Sequence, residues 1–74
     1  MAEQTVTVEE ALWVALRALE ENAAMNHRLA EAAEQRERHR AAALYRAEYE
    51  KGKAGAMRLR ELIGRVTAGA EDKP

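Results

Sequence analysis

The stretch TVEEALWVALRAL, residues 7–19, is the densest apolar run of the chain and contains its only tryptophan. Three leucines in it recur at spacings of four and three residues, which places them on one stripe of an α-helix: Leu12, Leu16 and Leu19. Trp13 and Val14 point away from that stripe. A helix that is apolar around most of its circumference needs more than one partner surface, so we expect this segment to associate with a second chain.

The same stretch contains a helix start signal. Thr7 fits the N-cap position, and Glu10, three residues later, completes a capping box. Val6 is placed to pack against Ala11 as a hydrophobic staple. The helix is therefore expected to begin at Val8.

No glycine or proline occurs from this start to Lys51, so nothing in the local chemistry ends the helix before about residue 50. The next break signal is the pair Gly52 and Gly55, because two glycines cost about 2 kcal/mol in a helix interior relative to alanine. We predict a long helix over residues 8–50 and a short helix over 54–67 that folds back as a helical hairpin. A bent rod that continues through the glycines is the alternative.

The composition supports an all-α fold. We predict a single helical domain over residues 8–67, between a frayed lead, 1–7, and a flexible tail, 68–74. Gly69 is the expected C-cap of the last helix. Alanine, glutamate, arginine and leucine dominate, whereas the chain has only four valines and one isoleucine. Seventeen alanines bury little area, and without cysteine there is no disulfide to support the core of 74 residues. A coiled-coil or bundle oligomer is therefore predicted.

A second apolar stripe follows a polar segment, EQRERHR, at residues 34–40. This stripe alternates strictly between spacings of three and four: Ala42, Tyr45, Tyr49, Gly52, Ala56, Leu59, Ile63 and Val66. We expect two packing segments joined by a polar helical stretch. The large residues of both stripes, together with the neighbouring Trp13, form the predicted protein interface: Leu12, Trp13, Leu16, Leu19, Tyr45, Tyr49, Leu59, Ile63 and Val66.

Two asparagines lie on or beside the first stripe, Asn22 and Asn26. A buried asparagine fixes the register and the oligomeric state of paired helices at some cost in stability. The alternative interpretation is that both residues face solvent.

Charge is segregated along the chain. Residues 1–35 carry seven acids against two arginines, a net charge of −5, and residues 36–66 carry nine bases against four acids, a net charge of +5. Antiparallel pairing of helices in an oligomer would bring each acidic half against a basic one, so we favour that arrangement.

Two interpretations of the basic half, 36–65, remain open. Its bases recur at seven-residue intervals beside the second stripe, which is typical of coiled-coil flanks that pair with acids. Alternatively, they contact the phosphates of DNA or RNA, which makes five of them candidate nucleic-acid contacts: Arg36, Arg40, Arg46, Lys53 and Arg60. Interleaved glutamates weaken this second interpretation.

No pattern of catalytic, cofactor-binding or metal-ligating residues emerges. The chain has no serine or cysteine nucleophile, and His27 and His39 lie about 120° apart around a helix, so they share no site on it. No apolar run is long enough to cross a membrane, and the acidic N-terminus differs from a secretory signal, so a cytoplasmic location is expected. We predict a non-catalytic assembly or adaptor protein that binds itself, another protein or both, and neither a membrane nor a small-molecule substrate.

Overall fold

The computed structural model describes residues 7–71 and shows a hairpin of two antiparallel helices, α1 (Val8–Gln35) and α2 (His39–Glu71). The helices contain 28 and 33 residues, and the described residues include no strand. The predicted all-α helical hairpin is confirmed.

α1 begins where the sequence predicts. The Thr7 hydroxyl accepts a hydrogen bond from the Glu10 N–H, and the Glu10 carboxylate accepts one from the Thr7 N–H, both at 3.1 Å. These reciprocal bonds satisfy two N–H groups that have no partner within the helix. The predicted staple partner, Val6, lies outside the described residues, as does most of the predicted lead.

The turn between the helices lies at residues 36–38, so the predicted helix boundaries at 8–50 and 54–67 are wrong. Arg38 N–H donates to the Ala33 carbonyl at 2.8 Å, and Glu37 N–H donates to the Glu34 carbonyl at 2.9 Å. These two bonds form a Schellman motif, in which the residue after the C-cap adopts a left-handed conformation. That residue is Glu37, with φ 58°, where glycine is usual.

The physical reason for the error is that the polar segment 34–40 offers no apolar side chain to the seam between the helices. The chain reverses there, and α2 continues through Gly52 and Gly55 without a break. α2 also continues through Gly69 to Glu71, so the predicted C-cap and the predicted start of the tail at residue 68 are wrong. Residues 72–74 lie outside the described part of the chain.

Each helix contributes one stripe, with alternating spacings of three and four, to the seam between them. The α1 stripe runs from Leu12 to Ala33, and the α2 stripe is the one predicted from Ala42 to Val66. Every buried residue of the described chain lies on these two stripes: Leu16, Ala23, Asn26, Ala30, Ala33, Ala42, Ala56 and Ile63. The two helices therefore pack side by side along a single antiparallel seam.

The seam buries little apolar volume. Of the seven buried apolar residues, five are alanines, and only Leu16 and Ile63 are large. Leu12, Leu19 and Leu59 pack against these two while remaining partly exposed. The molecule is 12 Å thick, about the diameter of one helix, so each helix has a partner on one side only.

Candidate interaction surfaces

One side of the hairpin is a charged edge, formed by residues at seven-residue intervals on both helices: Glu20, His27, Glu34, Arg46, Lys53 and Arg60. Arg46 donates to the Glu34 carboxylate at 2.9 Å, and Arg60 donates to the Glu20 carboxylate. The acids are fourteen residues apart on α1 and the arginines fourteen apart on α2. The two ion pairs therefore agree on a single antiparallel register.

Glu34 joins the turn to the charged edge. Its second carboxylate oxygen lies 3.3 Å from Nδ1 of His39, the first residue of α2. The hydrogen bond from the Arg46 guanidinium, together with its charge and the neighbouring His39, holds the pKa of the Glu34 carboxyl below its usual range. This carboxylate links the end of α1 to the start of α2 through two separate contacts.

The middle of the charged edge is an aromatic cluster. The rings of His27 and Tyr49 lie 5.2 Å apart at an interplanar angle of 43°, and the Lys53 ammonium lies 5.1 Å from the centroid of the Tyr49 ring, within cation–π range. Beneath the cluster is an open groove of about 520 Å³, whose lining includes Ala23, Ala24, Ala56 and Met57. The groove exists because the seam residues are small there.

Trp13 extends the same edge at its N-terminal end. Its indole is 49% exposed and lines a shallow depression with Ile63, Gly64 and Thr67 of α2. The leucines of the first stripe are buried or partly buried against α2, whereas the indole is exposed. Of the predicted interface residues, Trp13 is thus the one that remains on the surface.

A second stripe on α1, the uncharged strip, lies beside the seam and is exposed along its whole length. Its seven residues repeat at alternating spacings of four and three: Ala11, Ala15, Ala18, Asn22, Met25, Leu29 and Ala32. No charged side chain occurs on the strip or on the α1 side of the seam between residues 11 and 33. Half of the α1 circumference is therefore free of charge, and α2 covers only part of it.

This strip was not among the predicted surfaces, because in sequence its residues merge with the first apolar stripe into one broad apolar surface. Its signal was nevertheless present as a second set of residues with the same alternating spacing, shifted by one position from the leucines. The signal was weak because four of the seven residues are alanines, which have small side chains.

The predicted interface residues lie mainly between the two helices of one chain. Leu16 and Ile63 are buried there, and the others remain partly exposed apart from the exposed Trp13: Leu12, Leu19, Tyr45, Tyr49, Leu59 and Val66. The hairpin itself therefore covers much of the apolar surface that the sequence analysis assigned to a partner.

The predicted nucleic-acid contacts divide into two groups. Arg46 and Arg60 form the ion pairs of the charged edge, and Lys53 lies over Tyr49. Arg36 lies in the turn and Arg40 in the first turn of α2, and both are exposed. Two of the five cations thus form ion pairs between the helices, and a third contacts a ring on its own helix.

Asn26 is buried and Asn22 is exposed. The Asn26 amide donates to the Asn22 side-chain oxygen at 2.8 Å and to the Asn22 carbonyl at 3.1 Å. The buried amide is thereby satisfied within α1. These hydrogen bonds connect Asn26 in the seam to Asn22 on the uncharged strip.

Residues 7–71 bring no three histidine, aspartate or glutamate side chains together in an arrangement that would hold a metal ion. His27 contacts Glu31 at 3.4 Å, whereas His39 contacts Glu34, so the two histidines occupy different places. Neither described helix combines the length and the apolar character that a membrane span requires.

Comparison with known proteins adds no assignment: no protein-family model, no curated protein and no solved structure matches this chain.

Proposed function

We propose that this chain is a non-catalytic helical assembly or adaptor protein that acts in the cytoplasm by associating with itself, and through itself with another protein. The observation that supports this proposal is the number of large apolar side chains that the hairpin leaves exposed: Val8, Trp13, Val14, Met25, Leu29, Leu44, Met57 and Leu62. These eight exposed side chains outnumber the two large side chains, Leu16 and Ile63, that are buried in the seam.

The energetics favour association. A core with two large buried residues and five alanines supplies only about 3 to 5 kcal/mol in a chain of this size. Burial of a leucine, methionine or valine against a second chain contributes about 1.5 to 3 kcal/mol per side chain. A few such contacts would match the stability of the isolated hairpin.

The charge distribution indicates the type of association. α1 carries six acids against two arginines, net −4, and α2 carries seven bases against four acids, net +3. The Glu34–Arg46 and Glu20–Arg60 pairs match these opposite charges within one chain. Further association through apolar surfaces, as in a helical bundle, is therefore more consistent with the structure than association through unlike charges.

Binding to DNA or RNA is the weaker alternative. It would use cations that already contact Glu34, Glu20 and Tyr49, so those contacts would have to be given up. If the alternative were right, affinity for nucleic acid would fall steeply with salt and would be lost on replacing Arg46, Lys53 and Arg60 together.

Analytical ultracentrifugation of the purified chain over micromolar concentrations, at low and at high salt, tests the proposal. We expect a dimer or larger oligomer that persists at high salt, and a thermal midpoint that rises with protein concentration. A chain that sediments as a monomer under all these conditions would contradict self-association.

A further inference from the structure

We propose that the uncharged strip of α1 binds the same strip of a second copy, with the two α1 helices antiparallel and Asn22 close to the two-fold axis. Two hairpins would then form a four-helix bundle with α1 helices inside and α2 helices outside. This inference rests on the self-association proposed above and specifies the surface and the orientation.

The absence of charge on the strip selects the partner surface. A charged side chain placed on this strip would lose water without gaining an opposite charge, which is costly. Exposed strips of comparable length on α2 carry charged residues, Glu50 and Glu61 on one and Lys51 and Arg58 on another. Among residues 7–71, the surface that matches the uncharged strip is therefore the strip itself, which gives the self-complementary contact of a two-fold dimer.

The length of the strip suits a helix–helix contact. From Ala11 to Ala32 it runs for about 30 Å along the helix axis. Its alternating spacings of four and three are those that keep a stripe facing a neighbouring helix over such a distance. The strip is also continuous with the seam, so the bundle would extend the packing already present in the hairpin.

Side-chain size determines the orientation. The N-terminal half of the strip contains only alanines, Ala11, Ala15 and Ala18, whereas Met25 and Leu29 lie in the C-terminal half. In a parallel pair, alanine would face alanine at one end while methionine and leucine would hold the helices apart at the other. An antiparallel pair brings each large residue against a small one, which gives an even helix separation and a close-packed interface.

Asn22 lies between the two halves and therefore close to the centre of the antiparallel pair. Its side-chain oxygen accepts from the buried Asn26 amide, which fixes its position relative to the seam. A polar residue at one position of an otherwise apolar contact favours a single register over shifted ones.

Two matched substitutions test the surface. Met25→Glu places a charge in the strip, whereas Met57→Glu makes the same change on α2, where the methionine is 65% exposed. We expect Met25→Glu to weaken dimerisation at least tenfold in sedimentation while far-UV circular dichroism shows retained helix, and Met57→Glu to dimerise as the parent does. A Met25→Glu variant that dimerises as tightly as the parent would overturn the choice of surface.

The orientation is tested by cross-linking, because the chain has no cysteine. Variants Ala11→Cys and Ala32→Cys are treated with a short bifunctional thiol reagent, separately and mixed. In the antiparallel dimer, copies of residue 11 lie about 30 Å apart, so we expect covalent dimers only in the mixture. Covalent dimers of each variant alone would establish a parallel pair and overturn the orientation. The two proposals fail in different ways. A parent chain that is monomeric contradicts the proposed self-association, whereas a parent that dimerises through another surface or in a parallel orientation contradicts only the present inference.

Discussion

Gly52 of α2 lies against Ala23 of α1, so close that a β-carbon added to Gly52 would stand 3.3 Å from the β-carbon of Ala23. The Leu19 carbonyl oxygen would be 3.7 Å away. The glycine that the sequence analysis interpreted as a helix break is thus part of the seam. Its lack of a side chain allows the helices to approach each other where the groove opens.

Replacement of two helix glycines by alanine should have different effects. Gly64 has open space around it, so Gly64→Ala should raise the free energy of unfolding by about 1 kcal/mol through helix propensity alone. Gly52→Ala should gain less or lose stability, because its β-carbon would be tighter against Ala23 than most real contacts. Urea unfolding of both variants and the parent measures the difference. Equal gains in the two variants would show that the close approach at Gly52 is not required.

The fold class was predictable from the sequence, but the position of the turn was not, and the glycines show why. The capping box at Thr7 and the alternating stripe from Ala42 to Val66 are local patterns, and the structure contains both. A glycine, however, has the same local signal whether it breaks a helix or permits close packing, and only the partner Ala23 decides between the two. The turn carried no glycine signal because Glu37 occupies the left-handed position.

The candidate site was predictable only in part for a similar reason. The seven-residue repeat of Arg46, Lys53 and Arg60 predicted residues that flank a helix–helix contact. The structure pairs Arg46 with Glu34 and Arg60 with Glu20, whereas Lys53 lies over Tyr49 on its own helix. The sequence could not show that their partners belong to the same chain. That depends on where the chain turns, and the uncharged strip becomes recognisable as exposed only when the turn is known.

Glycine at position 37 should stabilise the hairpin. A left-handed conformation costs a non-glycine residue roughly 1 to 2 kcal/mol, and Glu37 has φ 58°. Glu37→Gly should therefore raise the free energy of unfolding by about 0.5 to 1 kcal/mol, after the greater entropy of glycine in the unfolded chain is subtracted. Chemical denaturation measures this gain.

Glu37→Ala is the matched control for the turn, because it removes the same carboxylate but keeps the β-carbon. We expect no comparable gain from it. A stabilisation by alanine as large as that by glycine would mean that relief of charge crowding among the neighbouring residues, and not backbone conformation, is responsible.

The Glu34–Arg46 contact should make the stability of the hairpin depend on pH. Because the pKa of Glu34 is lowered in the folded chain, its contribution is present above the ordinary carboxyl pKa of 4.5 and is lost as pH falls through the lower folded value. Glu34→Gln should therefore reduce the loss of stability on acidification. Thermal unfolding from neutral to acidic pH measures this slope.

Arg46→Gln provides the partner control for that pH dependence. Removing the guanidinium should raise the pKa of Glu34 towards its ordinary value, as a carboxyl carbon titration followed by NMR would show. If the Glu34 resonance titrates in Arg46→Gln as it does in the parent, the ion pair seen in the structure is not the cause of the lowered pKa.

The Glu20–Arg60 pair offers a direct test of the helix register, because the two residues are far apart in sequence and carry opposite charges. Glu20→Arg would place two arginines together, and Arg60→Glu would place two glutamates together. Each single variant should lose about 0.5 kcal/mol, a magnitude typical of exposed pairs, with a larger loss at low salt.

The double variant Glu20→Arg/Arg60→Glu should recover most of that stability, since it restores an opposite pair in the reverse order. Denaturation of all four proteins forms a double-mutant cycle. A coupling energy near zero at low salt would mean that residues 20 and 60 are not adjacent in solution, and the antiparallel register drawn from the charged edge would then be wrong.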